Sequence, residues 1–106
     1  MNLKEISQRA LDVRKKYAEL ERKKYGREWT SKEIVEGLVG DVGDFMKLAM
    51  AKDGIRSVDH LDEKLAHELT DIFWCTLVLS HAYGIDLEHS FMRNMDALEE
   101  QIAHED

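Results

Sequence analysis

Two stretches of the chain place paired carboxylates at the same spacing: Asp41 and Asp44 in LVGDVGDFMKLAM (residues 38–50), and Glu68 and Asp71 in LAHELTDIFWCTLVL (residues 65–79). On a helix, positions i and i+3 lie about 60° apart, so each pair shares one face. With Leu38 set at zero, Val42, Phe45 and Ala49 fall within about 40°, and Asp41 and Asp44 stand at about 60° and 120° with Leu48 between them. With Leu65 set at zero, Leu69, Ile72 and Thr76 form the inner arc, and Glu68 and Asp71 take the same two offsets around Cys75. Two acid pairs in matching phase at the edges of apolar stripes repel one another and resist desolvation. Either some of them are protonated or cations neutralise them. An oxygen-only ligand set suits hard cations, Mg²⁺ first and Mn²⁺ next.

Other readings of the same residues differ in how well they fit. Most helical acids are solvated, and Asp41 and Asp44 taken alone fit that description. Glu68 and Asp71 fit it less well, because the helix beyond Asp71 has no polar face to continue. Di-iron bundles also use inward acids but add a Glu-x-x-His motif on two helices. None of the histidines (60, 67, 81, 89 and 104) has a glutamate three residues before it. His67, next to Glu68, is expected at the surface or supporting a ligand. Cys75, inside an apolar helix, is expected to be inert packing. Gly40 and Gly43 each cost a helix about 0.5–1 kcal/mol relative to alanine, which suggests a close backbone approach or a need for space. There is no phosphate-binding glycine loop, Cys-x-x-Cys pair or nucleophile elbow.

Helices must position these acids. The chain has no proline and no sustained two-residue alternation, so it reads as all-α, a four-helix bundle-like protomer within one domain over residues 1–106. The first helix should run from Asn2 to Lys24 and end at Gly26. Its Leu3, Ile6, Ala10, Val13, Tyr17 and Leu20 form a narrow seam for packing on another helix. The second starts at TSKE, where Thr30 and Glu33 make a capping box, and runs to about Lys52 before Gly54. The third begins near Asp59 or His60 and ends at Gly84; Asp86 caps a fourth, from Leu87 to about Ala103. Short connections imply antiparallel neighbours. The run IFWCTLVL (72–79) is apolar on every side, and a small four-helix domain has difficulty enclosing it. A homodimer, or a dimer of dimers, is expected.

Composition limits the partners. Of 106 residues, 43% are hydrophobic and 35% charged, which is the balance of a globular chain. The net charge of −7 argues against a surface for nucleic-acid polymers, but not against a phosphorylated small molecule bound through cations. No apolar run approaches the ~20 residues of a membrane span, and the N-terminus lacks a signal peptide's apolar core. With one cysteine, a reducing cytoplasm is the expected setting.

LVGDVGDF followed by HELTDIFW resembles the signature of the all-α, MazG-like nucleoside triphosphate pyrophosphohydrolases: Glu-x-x-Glu on one helix and Glu-x-x-Asp on the next. The context is closest to their dCTP pyrophosphatase branch, and YGIDLEHSFMRNMD looks like the family's entry to a fourth helix. The resemblance covers roughly Trp29 to Met95. It implies a dimer or tetramer with Mg²⁺ held by Asp41, Asp44, Glu68 and Asp71, hydrolysing a nucleoside triphosphate to monophosphate and pyrophosphate. It also implies a phosphate contact for Lys52 and a base contact for Trp29. The chain departs from the pattern in three places. The first pair is aspartates, Gly40 stands where many members have another glutamate, and the fourth helix carries Ala97, Glu99, Glu100 and Gln101 where the family has lysines and arginines. Arg93, the one lysine or arginine left on that helix, is the third substrate-binding candidate beside Lys52 and Trp29; Arg9, Arg14 or Lys15 of a partner chain is the candidate substitute for the missing cations. The alternative expectation is a helical oligomer that binds metal, nucleotide or protein without turnover.

Overall fold

The computed structural model describes residues 1–54 and 58–105. They form four α-helices in chain order, α1 (Leu3–Tyr25), α2 (Ser31–Lys52), α3 (Leu61–Ala82) and α4 (Leu87–Ala103), with no strand among the described residues. The helix ends are where side-chain chemistry places them. Asn2 accepts from the Glu5 N–H at 2.9 Å. Thr30 Oγ1 accepts from the Glu33 N–H at 3.2 Å while Glu33 accepts from the Thr30 N–H at 3.0 Å, closing the capping box. Asp86 caps α4 by accepting from the His89 N–H at 3.1 Å. The chain leaves α1 through Gly26 with φ of 76°, a left-handed conformation that costs glycine little. His60 takes a left-handed φ of 55° as well and leaves the start of α3 without a side-chain cap.

α2 and α3 form the principal pair, and α1 lies against α3 with a smaller interface. The α2–α3 pair is antiparallel: Lys52 meets Asp62 at one end, and Asp41 meets Cys75 further along. The α1 seam packs only in part, with Ala10 buried and Tyr17 and Leu20 48% and 43% exposed. Trp74 Nε1 donates to the Ala10 carbonyl at 3.0 Å, and the Tyr17 ring is tilted against Trp74 with centroids 5.6 Å apart. The hydrophobic core is thin, consisting of Ala10, Ala51, Leu77 and Val78.

Three expectations change here. α4 does not pack as an antiparallel neighbour; it makes only marginal contact with the other helices and has no buried residue. Its apolar stripe is left open, with Ile102 70% exposed. Val42 and Leu69, placed on the inner arcs by the helical wheel, are 49% and 52% exposed. A Cβ at Gly40 or Gly43 would meet nothing within 4 Å, so neither glycine answers to a close approach within this protomer. The radius of gyration is 17.1 Å, against about 13 Å for a compact domain of this length. Among the described residues no helix is long and apolar enough to cross a membrane.

Candidate metal centre

α2 presents Asp41 and Asp44 to α3, and α3 answers with Glu68 one turn before Asp71. One oxygen from each of Asp41, Asp44 and Glu68 lies within 4.8 Å of the others. Thus two acids three residues apart on one helix converge with one acid from its antiparallel neighbour. Asp71 stands one turn further along α3, with Oδ2 3.2 Å from His67 Nε2. His67, expected to sit at the surface or support a ligand, is 71% exposed and contacts Asp71.

The electrostatics show what this convergence costs. Burial pushes the Asp41 carboxyl above its ordinary value, and the charges of Asp71 and Asp44 push it further. Glu68 is raised in the same way, by burial first and then by Asp41, Asp44 and Asp71. Glu68 Oε2 is buried and has no hydrogen-bond partner. A carboxylate oxygen withdrawn from water and left unpaired normally costs about 1–3 kcal/mol or more. A divalent cation would remove both penalties, by satisfying the free oxygen and cancelling the mutual repulsion. Three hard oxygen donors at this separation could hold a metal ion. Cys75 Sγ donates weakly to Asp41 Oδ2 at 4.0 Å. Burial and the charges of Asp41 and Asp71 push the thiol up, so it stays protonated and packs.

The centre separates two cavities. One, of about 550 Å³, lies among α1, α2 and α3 and is lined by Asp41 and Asp71 together with Tyr17, Trp29, Trp74 and Arg14. The other, of about 580 Å³, opens on the far side past Asp44 and Glu68, toward the end of α2 and the start of α3. His67 lines both.

The remaining sequence candidates separate. Trp29 lines the aromatic cavity together with Asp41 and Asp71. Lys52 lines neither cavity; its Nζ donates to Asp62 Oδ1 at 2.7 Å, tying the end of α2 to the first turn of α3. Arg93 is exposed on α4 and lines neither cavity. Sequence reasoning missed a clamp that fixes the Trp29 wall. Arg14 donates through both terminal nitrogens to Glu21 at 2.7 and 2.8 Å, and Glu21 Oε1 accepts the Trp29 N–H at 2.8 Å. Glu21 is only 7% exposed, and the Arg14 guanidinium holds its carboxyl below the ordinary range. Arg14, considered above as a cation lent to another chain, is therefore engaged within its own. The signal available in the sequence was the i, i+7 spacing of Arg14 and Glu21 on one face of α1; the contact to Trp29 crosses a loop and has no local signature.

Comparison of the chain with protein-family models, with curated proteins and with solved structures finds no match.

Proposed function

We propose that the protein is a metal-dependent nucleotide pyrophosphohydrolase, converting a nucleoside or deoxynucleoside triphosphate to the monophosphate and pyrophosphate. The observation that carries this reading is the convergence of Asp41, Asp44 and Glu68, with Glu68 Oε2 unpaired, beside an aromatic-walled cavity of about 550 Å³. That volume lies in the ~300–1,000 Å³ range of small-molecule sites. Mg²⁺, or Mn²⁺ in its place, would be held by Asp41, Asp44 and Glu68, with Asp71 completing the set or orienting it through the shared cavity wall. When bound, such cations supply Lewis acidity toward phosphate oxygens and water and offset the charge on the leaving pyrophosphate.

The chain's own residues do the rest. Trp29, Tyr17 and Trp74 offer ring faces and edges to a planar base, and the Arg14–Glu21 clamp keeps the Trp29 wall in place. The acids fix the site on two rigid helices, which is where placement is most exact. The reaction consumes one water and breaks the anhydride between the α and β phosphorus atoms.

The reading includes self-association. The open stripe of α4, the half-exposed Val42 and Leu69 and the excess radius of gyration all support a second copy covering the faces this protomer leaves bare. One observation favours the second reading, binding without turnover: α4 contributes acids and a single arginine, Arg93, with no basic residue in its last turn. Incubating metal-loaded protein with the eight common ribo- and deoxyribonucleoside triphosphates, and resolving products by ion exchange, separates the two. Equal amounts of monophosphate and pyrophosphate are expected. Diphosphate with orthophosphate, or no product from any of the eight, overturns the pyrophosphohydrolase.

A further inference from the structure

The cavity on the far side of the acid centre is unlike the aromatic one, and nothing above uses it. Its walls carry Lys47 and Lys64, with His60 and His67, around the outer edges of Asp44 and Glu68. Lys47 follows Asp44 by three residues on α2, and Lys64 precedes Glu68 by four on α3. Because the two helices are antiparallel, both lysines lie one turn from an acid of the centre in the same direction, toward the Lys52–Asp62 end.

Neither lysine makes an ion pair with a described residue, although acids surround them. The neighbouring acids have other engagements. Asp62 takes Lys52, and Glu63 lies 4.0 Å from His60 Nδ1. Two free ammonium groups are thus held beside a centre whose own acids repel anions, and on the side away from the aromatic cavity. Asp41 and Asp71 border the aromatic cavity and Asp44 and Glu68 border this one, so a nucleotide whose base rests among Tyr17, Trp29 and Trp74 can extend its terminal phosphates past the acids into this space.

We infer that Lys47 and Lys64 form a pyrophosphate subsite, receiving the β and γ phosphates of the substrate and then the leaving pyrophosphate. This rests on the pyrophosphohydrolase reading and supplies, from α2 and α3, the positive charge that α4 lacks. Lysine ammonium groups bind phosphate as point charges and need no fixed fork geometry. The open cavity therefore suits them, at the cost of solvent screening.

The test is calorimetric titration of inorganic pyrophosphate into the full-length protein, with free Mn²⁺ held constant by a metal buffer. Wild type is compared with Lys47→Ala, Lys64→Ala, the double alanine variant and the double arginine variant, and Mn²⁺ binding is measured separately in each. Pyrophosphate binding that requires Mn²⁺ is expected in wild type. Each alanine should weaken it by about tenfold and the pair by about a hundredfold, and the arginine pair should restore it. Mn²⁺ affinity should hold or rise in the alanine variants, since a nearby positive charge has been removed. Metal binding with pyrophosphate affinity unchanged in the double alanine variant overturns the subsite and leaves the metal centre standing. Metal binding with no pyrophosphate binding in wild type overturns it too. No metal binding in wild type overturns the pyrophosphohydrolase reading and the subsite with it.

Discussion

Replacing Glu68 by glutamine should make the metal-free protein more stable. Glu68, Asp41 and Asp44 bring oxygens within 4.8 Å of one another, where two unit charges at an effective dielectric of about 20 repel by roughly 3.5 kcal/mol. Solvent over Asp44 and screening by salt reduce the net effect to about 1–2 kcal/mol. Because Glu68 and Asp41 have raised values in the fold, the folded state holds protons that the unfolded state has released. The contribution of these two carboxyls to metal-free stability is therefore fullest below the ordinary carboxylate range and is lost as pH rises through the raised folded values. Glu68→Gln removes part of that loss. In EDTA at pH 8 the variant should melt about 4–8 °C above wild type, followed by circular dichroism at 222 nm, and the difference should close at pH 4. With Mn²⁺ added the wild type should gain more than the variant and the difference should shrink or reverse, because its tighter site gains more of the ligand's binding energy. A variant that melts several degrees below wild type in EDTA at pH 8 would show that Glu68 is a structural acceptor and refute the reasoning.

Other expectations concern the residues around the centre. Arg14→Ala leaves the buried Glu21 carboxylate without its bidentate partner and should cost about 3 kcal/mol in urea unfolding, with Trp29 fluorescence shifting to longer wavelength. As Glu21 is depressed in the fold, its contribution is present above the ordinary glutamate value and lost as pH falls through the folded one. Acid unfolding of Arg14→Ala should accordingly show a flatter low-pH limb, and an unchanged limb would remove the clamp from the stability argument. Asp71→Asn should weaken Mn²⁺ binding by about 10–100-fold, less than Glu68→Gln does, because Asp71 lies outside the convergent three. Equal losses in the two variants would place Asp71 among the direct ligands. Phe91→Glu with Ile102→Glu puts charge on the open stripe of α4 and should yield a monomer by light scattering where wild type is a dimer or larger. A monomeric wild type would leave that stripe without the proposed cover.

The elements were legible because each helix end is written in local chemistry. The Thr30–Glu33 box, the Asp86 cap and the left-handed Gly26 act within four residues, and the structure has all three where the sequence puts them. The convergence of Asp41, Asp44 and Glu68 was legible as a phase relation, since two helices with acids at matching offsets can face each other. The place of Asp71 was not. A helical wheel reports angle about the axis and discards side-chain rotamer, and the Asp71 carboxylate turns to His67, with Oδ2 3.2 Å from Nε2, and stays outside the close three. The packing of α4 was unreadable for a related reason. Leu87, Phe91, Leu98 and Ile102 show that the helix has an apolar face, but a stripe does not name the surface that covers it. Lys47 and Lys64 escaped notice because they become neighbours only through the register of α2 on α3, which the eight residues between the two helices do not encode. Arg14 and Trp29 meet across fifteen positions, through the turn at Gly26.

The most direct test is calorimetric titration of metal-stripped wild type with Mn²⁺ at pH 8, beside the Asp41→Asn, Asp44→Asn and Glu68→Gln variants. Saturable binding in wild type that each substitution weakens by at least tenfold is the result the convergent acids require. No saturable binding in wild type, or binding that survives all three substitutions unchanged, would reduce the cluster to surface charge.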